Sequence, residues 1–195
     1  MGHLHKPFQR PYPPIYVPSI SRASAGLKKA AERGFRFISH HMNHASALQE
    51  QWRTYSQAAQ AAGRAADPSE WAVARNVFVA DSTEEARRLA RSNSLARCIQ
   101  YILDLTRATA PTGIAMWKRD EQQADSECTL DYFLEEVVIA GDPEHVTQKL
   151  LELRELIGPF GTLVLTAHDW DDRDRWKHSL ELFAREVVPA FNKAI

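Results

Sequence analysis

The stretch from Pro13 to Gly34, PPIYVPSISRASAGLKKAAERG, decides how the rest of the chain is interpreted. It opens on the apolar run Ile15-Tyr16-Val17, whose β-branched and aromatic residues predict a buried strand. Small polar residues follow, and we expect a helix to begin near Arg22. Its apolar stripe at helical spacing consists of Leu27, Ala30, Ala31 and Gly34. A strand that passes directly into a helix predicts one β/α unit of a parallel sheet.

Two serines, Ser21 and Ser24, lie in the turn between this strand and this helix. The N-terminus of a helix offers unpaired N–H groups and a partial positive charge, and serine hydroxyls add neutral donors. The turn is therefore a candidate seat for a phosphate group. The alternative is that the serines only cap the helix, and their spacing alone favours that capping role.

The rest of the chain repeats this alternation of strand and helix. Further apolar runs predict strands over 35–39, 71–80, 137–139 and 162–166, with amphipathic helices between them. The helix that follows the third strand either runs far or breaks near Asn93. Such an order implies parallel strands joined by right-handed crossovers. We predict an α/β fold that amounts to half of a (β/α)8 barrel, which typically needs about 250 residues; a small, open, doubly wound sheet is the alternative.

We expect a single domain over residues 1–195, because this length is enough to bury one substantial core. Residues 1–14 carry four of the ten prolines and predict an extended lead-in. Residues 107–132 lose the apolar periodicity, which predicts an excursion or lid that interrupts the regular alternation.

Composition excludes several classes of function. The 24 basic and 25 acidic residues are spread along the chain, which argues against a nucleic-acid groove or a membrane-surface patch. The two cysteines, Cys98 and Cys128, predict reduced thiols rather than a disulfide scaffold. No apolar run approaches the roughly 20 residues that span a bilayer, and the first residues lack the apolar core of a signal peptide. We therefore expect a cytoplasmic protein.

Polar residues also follow two other predicted strands, at 39–44 and at His168-Asp169. The carboxyl ends of parallel strands are where barrels place their active sites. His40 and His168 are thus candidates for a catalytic role, and hydrogen bonding of rim histidines to nearby backbone is the alternative. No metal site is predicted, because the spacing of His40 and His44 lacks the glutamate of an H-E-x-x-H pattern. Asp169, Asp171 and Asp172 are explained by the dipole of the helix behind them.

Three separated segments carry a family resemblance: YPPIYVPSISRASAGLKKAAERGF, EWAVARNVFVADSTEEARRLA and the ending IAGDPEHVTQKLLELRELIGPFGTLVLTAHDWDDRDRWKHSLELFAREVVP. All three resemble the bacterial-luciferase-like flavin monooxygenases. The ending is similar to the subgroup that includes limonene monooxygenases, and the likeness extends from about Pro11 to Pro189. The family fold is a (β/α)8 barrel, and this chain resembles its C-terminal half.

This resemblance implies a cofactor and an activity. Ser21 and Ser24 match a turn that helps to hold the phosphate of FMN in relatives, and this match favours the phosphate seat over capping alone. The implied enzyme takes reduced FMN from a separate flavin reductase and uses O2 on a small hydrophobic organic substrate. In such an enzyme the protein orients the cofactor and excludes water. His40 or His168 would then donate a hydrogen bond to the flavin.

The first four strands of the family have no counterpart in this sequence. A half barrel exposes a strand edge at each end, and open edges pair with other chains. We therefore expect a homo-oligomer or an assembly with a complementary N-terminal half-barrel. Two alternative functions remain open: a non-catalytic half-barrel that binds a partner chain and flavin phosphate, and a deazaflavin-dependent oxidoreductase.

Overall fold

Short parallel strands and the helices between them build the molecule, which a computed structural model describes over residues 6–168 and 172–195. The strands are β1 (Tyr16–Ser19), β2 (Arg36–Ser39), β3 (Ala72–Arg75), β4 (Val77–Val79), β5 (Ile139–Gly141) and β6 (Thr162–Leu165). The α-helices are α1 (Ala25–Arg33), α2 (Ala45–Ala61), α3 (Thr83–Ser92), α4 (Ser94–Thr109), α5 (Leu130–Glu136), α6 (Pro143–Ile157), α7 (Arg173–Leu182) and α8 (Val188–Ala194). A π-helical turn, Phe183–Val187, joins the last two helices.

Capping side chains set where the helices begin. Helix α1 starts at Ala25 rather than near Arg22, because Ser24 Oγ accepts a hydrogen bond from the Leu27 amide at 3.1 Å. Asp142 caps α6 in the same way, with Pro143 at the first helical position. The predicted break near Asn93 is present, because the Asn93 side chain caps the start of α4.

Four strands form one parallel sheet in the order β1-β2-β3-β6. Neighbours in this sheet follow one another in a single direction, as they do around a barrel, whereas a doubly wound sheet reverses its order at a switch point. Leu27, Leu48 and Leu150, from α1, α2 and α6, pack together in one core cluster that also contains Val73 of β3. This arrangement confirms the parallel α/β fold and is that of half a (β/α)8 barrel.

The predicted strand over 71–80 is wrong in one respect, because the structure divides it between two sheets. β3 belongs to the four-stranded sheet, whereas β4 pairs with β5 in a separate two-stranded sheet. Backbone hydrogen bonds change partners at the junction. Arg75 O accepts from the Thr166 amide at 3.0 Å, and Asn76 O accepts from the Ile139 amide at 3.0 Å. The chain therefore leaves the barrel-like sheet at Asn76.

The two faces of the four-stranded sheet differ in how well they are covered. Phe37 and Val73 lie under the helices and are almost completely buried. Alternate residues along a strand point to the opposite face. On that inner face Tyr16 is 41% exposed, and Ile20, just beyond β1, is 40% exposed. The inner face is thus an incompletely covered apolar surface.

The non-periodic segment within 107–132 is shorter than expected, since α4 extends to Thr109 and α5 begins at Leu130. Two 3-10 turns, Gly113–Trp117 and Asp125–Glu127, fill the interval. Ile114 and Trp117 are buried in a second core cluster, which also contains Leu103 of α4 and Phe133 of α5. The segment therefore has an apolar contact surface that its sequence pattern does not reveal. No helix among residues 6–168 and 172–195 is both long and apolar enough to cross a membrane.

Candidate active site

The carboxyl ends of the four parallel strands bring several polar side chains to one edge of the sheet. Ser21 follows β1, His40 and His41 follow β2, Asn76 follows β3 and His168 follows β6. A backbone hydrogen bond joins the end of β1 to the segment after β2, because the His40 amide donates to Ser19 O at 3.1 Å. Three of the predicted site residues, Ser21, His40 and His168, therefore share this edge.

Two buried amide side chains hold the turn after β1 through hydrogen bonds to its backbone. Asn43 Nδ2 donates to Ile20 O at 2.8 Å, and Gln51 Nε2 donates to Ser21 O at 3.2 Å. Both amide residues are completely buried. Because these contacts use only the backbone of the turn, the exposed Ser21 side chain is left facing solvent.

Ser24, the second predicted cofactor residue, caps α1, and the space around the first turn of this helix is open. Its Oγ accepts from the Leu27 amide, and its hydroxyl hydrogen remains able to donate. The amides of Ala25 and Gly26 precede this bond at the N-terminus of α1, and both residues are exposed. A Cβ placed on Gly26 would meet only Ser24 Oγ, at 3.8 Å, so the approach to this first turn is unobstructed.

Arg22 connects the turn to the non-periodic segment. Its Nη2 donates to Lys118 O and to Arg119 O, both at 2.7 Å, and to Ser46 Oγ at 3.0 Å. It also pairs with Glu50 at 3.5 Å. Arg22 is therefore committed to holding the segment against the turn, and it was not identified from the sequence.

Two adjacent histidines follow β2 and are kept neutral by burial. The rings of His40 and His41 have centroids 4.1 Å apart, and Trp117 packs 5.2 Å from the His40 ring. Burial lowers the pKa of His40 to about 4. Burial, together with the positive charge of neighbouring groups, lowers the pKa of His41 to about 3. At neutral pH both rings are uncharged.

The tautomer of His40 follows from its backbone contact. Its Nδ1 accepts a hydrogen bond from the Met42 amide at 3.2 Å. An amide nitrogen only donates, so the proton of neutral His40 is on Nε2. His40 therefore presents a neutral N–H donor at the edge of the sheet.

His168 is oriented by a buried amide that sequence reasoning missed. Its Nε2 lies 2.8 Å from Asn76 Oδ1, and Asn76 is completely buried. The other amide atom, Asn76 Nδ2, and the nearby ring nitrogen His41 Nε2 are buried without a hydrogen-bond partner. The His41 and His168 rings have centroids 6.3 Å apart. Two polar residues inside the apolar run WAVARNVFVA, Arg75 and Asn76, were the signal that could have identified this junction.

The remaining predictions for this edge concern metals and the acidic turn. In the part of the chain that the structure describes, no three His, Cys, Asp or Glu side chains are grouped as metal ligands. Asp172 caps α7 by accepting from the Arg175 amide at 3.2 Å, as its position before a helix predicts. Asp169 and Asp171 lie outside the described residues.

Comparison with known proteins identifies the family. The family model described as luciferase-like monooxygenase matches residues 2–158. The chain is 34% identical to 3,6-diketocamphane 1,6-monooxygenase of Pseudomonas putida over 187 residues, which are 91% of this chain and 47% of that protein. It is 26% identical to limonene 1,2-monooxygenase of Rhodococcus erythropolis over 148 residues, which are 74% of this chain and 35% of that protein.

A solved structure supports the same family assignment. The oxygenating constituent of 3,6-diketocamphane monooxygenase from Pseudomonas putida, a type II Baeyer–Villiger monooxygenase in complex with FMN, superposes with a TM-score of 0.78 and 35% identity. The match covers 92% of this chain and 49% of that one, so the chain spans about half the length of these relatives. The resemblance inferred from the three sequence segments is confirmed, and the chain belongs to the luciferase-like monooxygenase family.

Proposed function

We propose that this chain provides the phosphate-binding half of a flavin site in a monooxygenase that uses reduced FMN and O2. The observation that carries the proposal is the turn after β1, where the exposed Ser21 hydroxyl and the capping Ser24 stand at the open N-terminus of α1. Helix N-termini of this kind favour phosphate through their free amides and their dipole. A family relative solved with FMN supports the choice of cofactor.

The residues of this turn fit a phosphate group. A dianion needs several donors and an open approach, and Ser21, Ser24 and the first amides of α1 supply both. Lys28, one turn further along α1, is exposed and adds positive charge on the same helix. Within the described residues, the first turn of α1 carries no acidic side chain that would repel the phosphate.

When bound, reduced flavin would supply the electrons that activate O2 for transfer of one oxygen atom to the substrate. The protein's own residues then bind, orient and shield. Ser21 and Ser24 would hold the phosphate, and His40 Nε2 would donate a hydrogen bond from an uncharged ring. Trp117, which is 3% exposed and packs on His40, would exclude water from that side.

His168 is the second candidate for contact with flavin or substrate. With Asn76 Oδ1 as the acceptor, His168 Nε2 carries the proton, and the ring orientation is set by a completely buried residue. A preoriented ring loses less freedom when a ligand binds than a mobile one does. We therefore assign Asn76 a positioning role toward His168.

We propose a hydrophobic carbocyclic substrate, a class that the names of the diketocamphane and limonene monooxygenases support. Ile20 lies at the same edge as the candidate site and is 40% exposed, so an apolar group is available beside it. A flavin reductase would supply the reduced cofactor. Cys128, which is buried and not in a disulfide, supports a location in the reducing cytoplasm.

We also propose that the chain works as an assembly. β1 and β6 are the two outer strands of the four-stranded sheet, and each offers an unpaired edge. The partner is a second copy or a complementary half-barrel, either of which would cover the apolar inner face. Analytical ultracentrifugation at micromolar concentration should show a dimer or larger species, and a cooperatively unfolding monomer would contradict this part of the proposal.

The incomplete inner face favours one second candidate: a half-barrel that binds a partner chain and flavin phosphate without turnover. Both candidates predict FMN binding, and they differ in catalysis. The deciding experiment supplies the chain with FMN, a flavin reductase, NADH, O2 and a panel of cyclic ketones and terpenes. Mass spectrometry then measures products that have gained one oxygen atom, with catalase present to remove free hydrogen peroxide.

The assay is run on the chain alone and after addition of the N-terminal half of the diketocamphane monooxygenase. Oxygenated product that requires both reduced FMN and O2 is the expected result. FMN binding without product in either mixture would favour the non-catalytic candidate. Absence of both binding and product would overturn the proposed function.

A further inference from the structure

Arg75, at the end of β3, is a charged residue whose side chain is almost completely buried. It is 2% exposed, and its one side-chain hydrogen bond runs from Nη1 to its own neighbour, Ala74 O, at 3.0 Å. No carboxylate of residues 6–168 or 172–195 lies within ion-pair distance of its guanidinium. Burial lowers the pKa of Arg75 to about 10, which leaves the group charged at neutral pH. A buried charge without a counter-ion is costly.

Arg75 lines a cavity of about 200 Å³ on the helix side of the sheet. Ala45 at the start of α2, Val138 before β5 and Leu153 of α6 also line it. Val73, two residues earlier on β3, packs into the core cluster on the same side. The cavity is therefore separated by the sheet from the inner face.

Each acidic residue that lines this cavity has a cation other than Arg75 as its partner. Glu135 pairs with Arg91 at 3.6 Å, Glu136 with Arg119 at 3.6 Å, and Glu152 with Lys149 at 2.9 Å. His44 Nε2 also lies 3.7 Å from Glu136. Arg91 also contacts Asp131 and Arg119 also contacts Asp120, and none of these carboxylates pairs with Arg75.

A second source of positive potential points at the same place. Helix α2 has 17 residues, begins at Ala45 beside the cavity and has no acidic residue in its first turn. Its dipole places partial positive charge at that end. The Ser46 amide donates to His44 Nδ1 and the Ala47 amide to His44 O, which leaves the Ala45 amide for a ligand. Burial, and the charges of Arg119, Arg22 and Arg75, lower the pKa of His44 at the same helix end, against the opposing effect of Glu136.

We propose that this cavity is a binding site for a small oxyanion, with Arg75 as its principal ligand and the N-terminus of α2 as its second. A guanidinium binds two oxygens of a phosphate or carboxylate in parallel, and one of its five N–H groups is used here. The bound anion would neutralise Arg75 and fix the junction between β3 and β4 to α2. This site is independent of the proposed phosphate seat at Ser21 and Ser24.

Thermal unfolding of the whole chain tests the proposal at constant ionic strength. Inorganic phosphate, sulfate and acetate are compared with chloride. At ten times its dissociation constant, the preferred oxyanion should raise the midpoint by about 3–6 °C, whereas chloride should not. Equal shifts with all four salts, or no shift with any oxyanion, would overturn the proposal.

Variants separate the site from a general salt effect. Arg75→Met should abolish the oxyanion shift, and Arg53→Met, on an exposed part of α2, should retain it. Ala45→Asp would place a carboxylate inside the cavity, so it should raise the midpoint without added anion and remove the response to phosphate. An unchanged response in both Arg75→Met and Ala45→Asp would overturn the site.

A parallel measurement with FMN distinguishes this oxyanion site from the flavin phosphate site of the proposed function. FMN should stabilise Arg75→Met as it stabilises the parent, because its phosphate is assigned to the turn after β1. Loss of the FMN effect together with the phosphate effect would place the flavin phosphate beside Arg75 and would overturn the independence of the two sites. Failure of FMN to bind either protein would count against the proposed function alone.

Discussion

The turn after β1 and the junction after β3 both carry polar groups at the carboxyl edge of one sheet, but solvent reaches only the first. The Ser21 side chain is exposed, whereas Arg75 and Asn76 are 2% and 0% exposed. An exposed turn held by its backbone can accept a large anionic ligand without rearrangement. A buried junction can only orient its neighbours or take a small ion.

The exposed turn and the buried region also differ in how they interact with charged groups. In the turn, neutral hydroxyls and helix amides would attract the proposed phosphate without a formal charge of their own. In the buried region, charged forms are disfavoured, which keeps His40 and His41 neutral. The proposed flavin phosphate site therefore lies at the surface, whereas the residues that orient the histidine rings lie in the interior.

The largest expected effect comes from removing the two serine hydroxyls of the turn after β1. Ser21→Ala combined with Ser24→Ala removes two hydrogen bonds to a charged group, each contributing about 1.5–3 kcal/mol. FMN affinity should fall by about a hundredfold or more, at 1.4 kcal/mol per factor of ten. Riboflavin, which lacks the phosphate, should bind the parent and the variant equally in a fluorescence titration.

The matched control for this variant is Ser82→Ala. Ser82 caps α3 by accepting from the Glu85 amide, so it has the same capping role away from the candidate site. The control should lose about 1 kcal/mol of stability and keep its FMN affinity. Equal losses for FMN and riboflavin in the double variant would mean that the two serines serve only the fold.

The next effect concerns the buried region. Asn76→Ala removes the hydrogen bond to His168, so the free energy of unfolding in urea should fall by about 1–3 kcal/mol. Asn192→Ala, on the exposed surface of α8, should change it by less than about 0.5 kcal/mol. If Asn76→Ala is as mild as the control, Asn76 does not position His168.

The pH dependence tests the neutral histidines. Their folded-state pKa values, about 4 and about 3, lie below the unfolded value of 6.5, so the unfolded chain binds more protons below pH 6.5. Stability should therefore fall as pH decreases from about 6.5 to about 4, with His41 contributing on the order of 3 kcal/mol.

Urea unfolding at several pH values measures this slope. His41→Gln should flatten it, and the surface control Asn192→Ala on α8 should leave it unchanged. A parent protein whose stability is constant between pH 6.5 and pH 4 would contradict the burial of these rings.

The smallest effect is expected where the exposed turn meets the non-periodic segment. Arg22→Gln removes two hydrogen bonds to the carbonyls of residues 118 and 119. Limited proteolysis within 110–129 should become about two- to fivefold faster, because local opening costs less. The control variant Arg33→Gln, at the exposed end of α1, should be cleaved at the same rate as the parent protein. Unchanged cleavage in Arg22→Gln would show that Ile114 and Trp117 hold the segment alone.

Local signals made much of this fold predictable. Apolar runs of strand length and caps such as Ser24 and Asp142 act within a few residues, so the sequence pattern contains them. Parallel pairing followed from the alternation of strands and helices. Ser21, His40 and His168 were identified because they follow predicted strands, and their roles with a ligand stay predictions.

Other features depend on contacts that are distant in the sequence. Apart from Arg75 and Asn76 the run over 71–80 is apolar, so its pattern does not show that β3 pairs with β6 while β4 pairs with β5. The buried position of Arg75 depends on α2 and α6, which pack over it. The contact of Trp117 with His40 joins two segments that are more than 70 residues apart. These features required the tertiary structure.

A crystal structure of the chain with bound FMN tests the central claim most directly. The account predicts phosphate oxygens within about 2.5–3.0 Å of the Ser21 and Ser24 hydroxyls, at the N-terminus of α1. A phosphate bound elsewhere, with both hydroxyls facing solvent, would contradict it.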